Sequence, residues 1–322
     1  MSKKVLVTGG SGFLGSFLVK QLLNLGFEVI VLDNGSRGNI RRLKEFEHEY
    51  SYIEGDVRNL DTVLKASKDC SAIFHLAFVN GTRFFYEKPE MVLDIGLKGA
   101  QTTIEAAIAN SVDTYILASS SEVYQQPTSV PTSEKERAII PDVLNPRFSY
   151  AGGKLVSELL TINNFRNSIT REIIFRPHNI FGPDMGQEHV IPEIMKKISE
   201  ASDSWSKKNI EIEIQGTGKE TRSFCFVEDA VDQIVLLHEK GKKGQIYHVG
   251  MDFEITILEL IQKISTLLGM SVNVIPSQLK PGSTTRRCPD ISKIKRLGYE
   301  KNDKFDAGLR KTVDWYRNSL VK

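Results

Sequence analysis

Over its first 120 residues the chain alternates two hydrophobic patterns. Short apolar runs without alternation occupy residues 4–7, 28–32, 72–77 and 114–118. Such runs suit strands covered on both faces. A further strand is predicted at 51–55 (SYIEG), closed by Asp56 and Val57. Between the strands, apolar residues recur at helical spacing: Phe13-Leu14, Phe17-Leu18 and Leu22-Leu23 after the first strand. Residues 89–110 form a long helical stretch with small residues at Gly96, Gly99, Ala100, Ala106, Ala107 and Ala109. Strands alternating with helices predict an α/β fold built on a doubly wound parallel sheet.

Beyond residue 176 the pattern is less regular. Helices are predicted at 191–199, 227–239, 256–268 and 305–320. Residues 210–214 (IEIEI) alternate with period two and predict a strand with one exposed face. Residues 216–218 are a turn, 272–275 a short strand, and 245–249 a strand that rejoins the main sheet. The expected division is a sheet domain over 1–175, with a return at about 222–250, and a smaller α/β lobe over 176–322. Trp315 is expected to pack in the last helix.

Composition narrows the partners. The 322 residues carry a formal net charge of +2, which argues neither for nucleic acid nor for an anionic membrane. Cys70, Cys225 and Cys288 are far apart and odd in number, so neither a disulfide framework nor a zinc site is expected. His178, His189 and His248 lack ligand spacing, and no metal is expected. The first strand starts at residue 4, and no apolar run matches a bilayer's thickness. A cytoplasmic protein is the expectation.

Candidate chemistry starts at the first strand. Gly9, Gly12 and Gly15 follow it at three-residue spacing and open the first helix. A glycine turn before a helix N-terminus binds phosphate, through free N–H groups and the helix dipole. Asp33 ends the second strand, where a carboxylate accepts hydrogen bonds from both adenosine ribose hydroxyls and repels a 2′-phosphate. NAD is therefore expected as cofactor, although Arg37, Arg41 and Arg42 nearby leave NADP open. His75 lies inside an apolar run and reads as a core residue. The fifth strand runs into SSSEVY at 119–124, beyond a carboxyl end, where ligands sit in parallel sheets. Tyr150 and Lys154 share one helical face at i and i+4. An ammonium beside a phenol lowers its pKa and makes it a workable base.

These motifs together resemble the extended short-chain dehydrogenase/reductases, specifically the NAD-dependent nucleotide-sugar epimerase/dehydratase family with its Rossmann domain. The matching residues are GGSGFLG at 9–15, Asp33, Gly55-Asp56-Val57, His75-Leu76-Ala77, SSSEVY at 119–124, Tyr150 with Lys154, RPHNIFGP at 176–183, Arg222 with SFCFVEDAV, and Arg286 to Lys293. The resemblance implies that Gly9, Gly12 and Gly15 hold the NAD pyrophosphate, Asp33 the ribose, and Asp56 and Val57 the adenine. Phe13, Leu14, Asn34, Leu76, Ala77 and Pro177 complete the expected cofactor set. Tyr150 is implied as the base at the sugar 4-hydroxyl, Lys154 as the ribose ligand that holds down its pKa, and Ser120 as the partner of the 4-oxygen. Asn179, Arg222 and Arg287 are implied to meet the substrate's diphosphate or nucleoside, UDP or GDP. A homodimer through the 90–110 helix and the Tyr150 helix is also implied.

Departures from the family pattern carry information. Dehydratases of this family place Thr-Asp-Glu where this chain has Ser120-Ser121-Glu122. A serine hydroxyl is a poor general acid for water loss, so Ser121 argues against a 4,6-dehydratase. Ser121 and Glu122 remain in the candidate catalytic set. Gln125 replaces a usual glycine, Gly96 a usual asparagine, and Phe78 a usual alanine. Phe78 and Val79 lie where the sugar is expected. The expected reaction is oxidation at C4 through a 4-keto sugar, with net 4-epimerisation. A 4-dehydrogenase or an oxidative decarboxylase shares the first step. A non-catalytic dinucleotide-binding protein is the alternative from another class, and the presence of Tyr150 and Lys154 argues against it.

Overall fold

The computed structural model describes residues 3–278, 285–300 and 304–320. Seven parallel strands form its central sheet. They are β1 (Lys4–Thr8), β2 (Glu28–Asp33), β3 (Tyr50–Glu54), β4 (Ala72–His75), β5 (Thr114–Ala118), β6 (Arg171–Pro177) and β7 (Gln245–Val249). Their spatial order is β7-β6-β5-β4-β1-β2-β3. The strand expected to rejoin the sheet is β7, which sets His248 opposite Arg176 on β6. The helices that concern the site are α1 (Phe13–Asn24), α2 (Leu60–Ala66), α3 (Thr82–Glu87), α4 (Pro89–Ala109), α5 (Ser149–Phe165), α6 (Val190–Ala201), α7 (Val227–Lys240) and α8 (Ile257–Leu268).

The unbroken apolar strands follow from a sheet buried on both sides. Val5, Val7, Val31 and Phe74 pack with Leu18 and Leu22 of α1 and Ile234 of α7. Their strand neighbours Leu6, Leu32, Ile73 and Leu117 point the other way, to Val63 of α2, Ile104 of α4 and Phe165 of α5. His75 belongs to this interior. It is buried, its Nδ1 lies 2.8 Å from Thr8 Oγ1, and burial, reinforced by the Lys154 charge, pushes its pKa down to about 3. A neutral packed histidine is therefore what the apolar run contains.

Beyond β6 a second core forms. Residues Asn209–Gln215 alternate as expected, with Ile210, Ile212 and Ile214 turned inward, and pair in parallel with Ser271–Ser277. These isoleucines pack with α6, α8 and the terminal helix Phe305–Ser319, where Trp315 sits at the edge of the cluster. A capping box between Thr256 and Glu259 starts α8.

The wall behind the site rests on a buried ion pair. Arg176 on β6 and Glu158 on α5 meet through Nε–Oε1 at 2.8 Å and Nη2–Oε2 at 2.6 Å, with both side chains nearly inaccessible. Ser119 Oγ donates to the same carboxylate, and Arg176 Nη1 donates to the Tyr124 hydroxyl at 2.6 Å. Tyr124 in turn meets His248 Nε2 at 2.6 Å. The pair thus ties α5, β6, β7 and the segment after β5 together. Glu158→Gln would leave the guanidinium buried without its counter-charge. It should lower stability by about 3–5 kcal/mol, read from the urea denaturation midpoint.

Candidate active site

The first loop reverses the chain between β1 and α1 at the point where the strand order turns, β1 lying between β2 and β4. Ligands bind at such a point, beyond the carboxyl ends. Gly9 has φ +70°, and a Cβ there would lie 2.9 Å from the Ala77 Cα. A Cβ on Gly15 would lie 2.1 Å from the Gly9 carbonyl oxygen. The loop is therefore backbone packed on backbone. Gly12 is the N-cap of α1, with no side chain capping the first turn and no acid within it. Those N–H groups stay open to an anion, which fits a dinucleotide's pyrophosphate.

Asp33 closes the other side. Its carboxylate accepts from the Ser11 N–H at 3.1 Å and the Gly35 N–H at 3.0 Å. Gly38 packs against it, where a Cβ would stand 2.0 Å from Ser11 Oγ and 2.8 Å from both Asp33 oxygens. Of the nearby arginines, Arg42 is held by Asp184 at 2.7 Å and by the Ser11 carbonyl at 3.1 Å. Arg37 lies over the Phe84 ring, 4.6 Å from its centroid. Arg41 is exposed. This arrangement favours NAD over its 2′-phosphorylated form.

One cleft of about 300 Å³ gathers Gly9, Gly12, Phe13, Leu14, Gly15, Asp33, Asn34, Val57, Leu76, Ala77, Phe78, Val79, Tyr150, Lys154 and Pro177. Asp56, expected at the adenine, is not part of this lining. Its carboxylate faces Arg58, with Oδ1–Nε at 3.0 Å and Oδ2–Nη2 at 2.6 Å. Val57 alone of the two side chains faces the cleft.

At the cleft's inner end Tyr150 is buried between two rings. Phe85 stacks on it at 4.9 Å, and Phe78 meets it edge-on at 5.3 Å. Burial raises the Tyr150 pKa, the Ser120 hydroxyl beside it works the other way, and the Glu122 charge adds to the rise. Lys154 turns its ammonium to other partners. Its Nζ donates to the Ala118 carbonyl at 2.6 Å and lies 3.9 Å from the Phe78 ring centroid. Burial brings the Lys154 pKa down to about 7, against the opposing Glu158 charge.

Ser120 and Ser121 are buried, and Ser120 Oγ accepts from the Glu122 N–H at 3.1 Å. Residues Ser121–Tyr124 form a 3-10 turn. Glu122 leads from Tyr150 to an arginine cluster. Arg287 Nη1 donates to Glu122 Oε1 at 2.5 Å. Burial works against the Glu122 charge, but Arg287, Arg147 and Arg222 together hold its pKa below the usual carboxylate range. Arg222 lies opposite Arg287 in a short parallel pairing, and burial and Arg287 bring its pKa down to about 10. Residue 132, in the segment between the 121–124 turn and α5, braces the Arg287 strand: the Thr132 N–H donates to the Cys288 carbonyl at 2.8 Å. Asn179 stands apart. Its amide donates to the Ser223 carbonyl at 2.9 Å, and it lines a separate cavity with Phe181 and His189.

Sequence reasoning missed Phe85, Ala118, Gly38 and the Glu158–Arg176 pair. Glu158 had a signal. It lies four residues after Lys154 on the same buried face, where a carboxylate requires a cation. Phe85 and the Ala118 carbonyl had none, because their contacts join segments distant in sequence.

The family model "NAD dependent epimerase/dehydratase family" matches residues 5–250. A UDP-N-acetyl-alpha-D-glucosaminuronate decarboxylase from Bacillus cytotoxicus is 27% identical over 327 residues, covering 98% of each chain. Among solved structures, a UDP-N-acetylglucosamine 4-epimerase from Methanobrevibacter ruminantium, in complex with UDP-N-acetylmuramic acid, superposes with a TM-score of 0.87. It is 26% identical and covers 99% of each chain. DesIV, a dTDP-glucose 4,6-dehydratase from Streptomyces venezuelae with NAD bound, superposes at 0.85. It is 28% identical, covering 98% of this chain and 97% of its own.

Gly15→Ala puts a methyl group into the Gly9 carbonyl. It should weaken NAD binding by about 100-fold or more, measured by calorimetric titration, with circular dichroism showing that the fold persists.

Proposed function

Because the chain belongs to the NAD-dependent epimerase/dehydratase family, we propose that it oxidises C4 of a nucleoside-diphosphate sugar and reduces it again from the opposite face, a net 4-epimerisation. The observation that carries this reading is the presence of Tyr150 and Lys154 in the cleft with the Ser120 hydroxyl beside Tyr150, and Ser121 where elimination would need an acid.

NAD, when bound, supplies a two-electron hydride acceptor and a positive ring beside Tyr150. The chain supplies the rest. Ser120 Oγ hydrogen-bonds the substrate 4-oxygen. Tyr150 takes the 4-hydroxyl proton as the C4 hydrogen leaves as hydride, and C4 becomes a carbonyl. In the return step the same phenol gives its proton back to the 4-oxygen. A buried phenol with a raised pKa holds its proton until positive charge arrives. The bound state is therefore the competent one. Arg222 and Arg287 pair with diphosphate oxygens through their planar forks.

Elimination across C5 and C6 needs both an acid and a base. Glu122 is a carboxylate at neutral pH, held so by its arginines, and suits only the base. Ser121 does not suit the acid. A second reading has one observation in its favour. Arg287 already grips a carboxylate, that of Glu122, and the Glu122 charge reaches Tyr150. A uronic acid substrate held by this arginine would lose CO₂ after C4 oxidation, the reaction class named for the Bacillus relative.

We also propose that the chain works as a homodimer. Val156 and Leu159 on α5 and Ile108 on α4 are exposed apolar residues on two helices that pack together. A second copy would bury them.

A panel of UDP- and dTDP-sugars, including uronic acids, separates the readings. Inverted C4 stereochemistry with no accumulating NADH absorbance is expected. CO₂ release would establish the second reading, and NADH rising with a keto product would mean dehydrogenation. Tyr150→Phe should lower kcat by about 10²–10⁴-fold, and full turnover in that variant would remove Tyr150 from the chemistry.

A further inference from the structure

Phe78 and Gly96 both depart from the family pattern, and they touch. A Cβ on Gly96 would lie 2.2 Å from Phe78 Cζ and 2.4 Å from Cε2. A Cβ on Gly153 would lie 3.1 Å from the same Cζ. The ring therefore enters a notch that helices α4 and α5 leave open by carrying glycine. It also lines the cleft. In the notch its face meets Lys154 Nζ, 3.9 Å from the centroid, and its edge meets Tyr150 at an interplanar angle of 87°. Lys154 Nζ is 5.8 Å from the Tyr150 ring centroid, so the phenyl ring is the nearer aromatic surface.

We propose that Phe78 is a positioning residue for the Tyr150–Lys154 pair, its face docking the ammonium against the Ala118 carbonyl and its edge bracing the phenol. This rests on the role given above to Tyr150 and Lys154. Gly96 and Gly153 supply the room. A ring face attracts a desolvated ammonium, and the attraction exists only for the protonated form. Phe78 thereby favours charged Lys154 against the burial that discharges it. The other groups facing Lys154 are Glu158 on its own helix, His75 on β4 and Tyr150. Glu158 supports the charge and is itself held by Arg176, while His75 is neutral. The ring is thus a second support for the ammonium beside Glu158.

The sign follows. Loss of the ring face moves the Lys154 titration to lower pH, so the alkaline limb of kcat/KM, where Lys154 discharges, also moves down. Competitive acetylation against pH, read for Lys154 by peptide mass spectrometry, reports this without turnover. Phe78→Leu should shift the Lys154 protonation equilibrium by about tenfold, and Phe78→Tyr, which keeps the ring, by less than about twofold. If Phe78→Leu does not fold, Gly96→Ala drives the ring off the ammonium and should give the same downward shift. Titration of Lys154 unchanged in Phe78→Leu or Gly96→Ala would overturn the proposal, as would equal shifts in the Leu and Tyr variants. If the labelling shift appears while Tyr150→Phe keeps full turnover, the docking stands and the catalytic reading falls.

Discussion

No side chain fits between the glycine loop and the end of β4. Gly9 presses on Ala77 with its backbone, and Gly15 on Gly9. This contact seats α1 with its uncapped N-terminus over the carboxyl ends of the sheet. It also forms the cleft between β1 and β4, where the strand order reverses. Strand ends then place Asp33 from β2, Phe78 after β4 and Ser119 after β5, while Tyr150 and Lys154 come from α5. The buried apolar strands hold this geometry rigid, because both faces of the sheet are covered.

Around the reacting end, the chain keeps charge scarce and paired. Glu158 has Arg176, Glu122 has Arg287, and His75 is neutral. Lys154 is buried among a carbonyl and an aromatic face, and Tyr150 is buried among rings. Burial favours the uncharged form of both groups, while the carbonyl and the ring face work in favour of the ammonium. On the proposed reading, Tyr150 therefore becomes a base only once the cofactor's charge is beside it. Low local dielectric also makes each arriving charge count for more than it would in water.

The fold was legible because its signal is periodic. Unalternating strands, helical repeats and the 210–214 alternation all recur in the structure at nearly the expected positions. The residues of the cofactor cleft were legible because glycines and an acid at set distances from a strand leave few arrangements open. What the sequence hid lies between segments. Phe78 and Gly96 read as two separate oddities, and only packing makes them one notch. Tyr150 and Lys154 read as a pair at i and i+4, yet tertiary contacts with Ala118 and Phe78 outweigh the helical neighbour. Side-chain direction, unlike strand and helix, is settled by partners far along the chain.

The proposed 4-epimerisation takes hydride from C4 and returns it there, at a site with Ser121 where elimination would need an acid. A nucleotide sugar carrying deuterium at C4 tests that most directly, with the position of the label in the product read by NMR. The account predicts that the deuterium remains on C4 of a product inverted at that carbon. Deuterium found at C6, or lost to solvent, would contradict it.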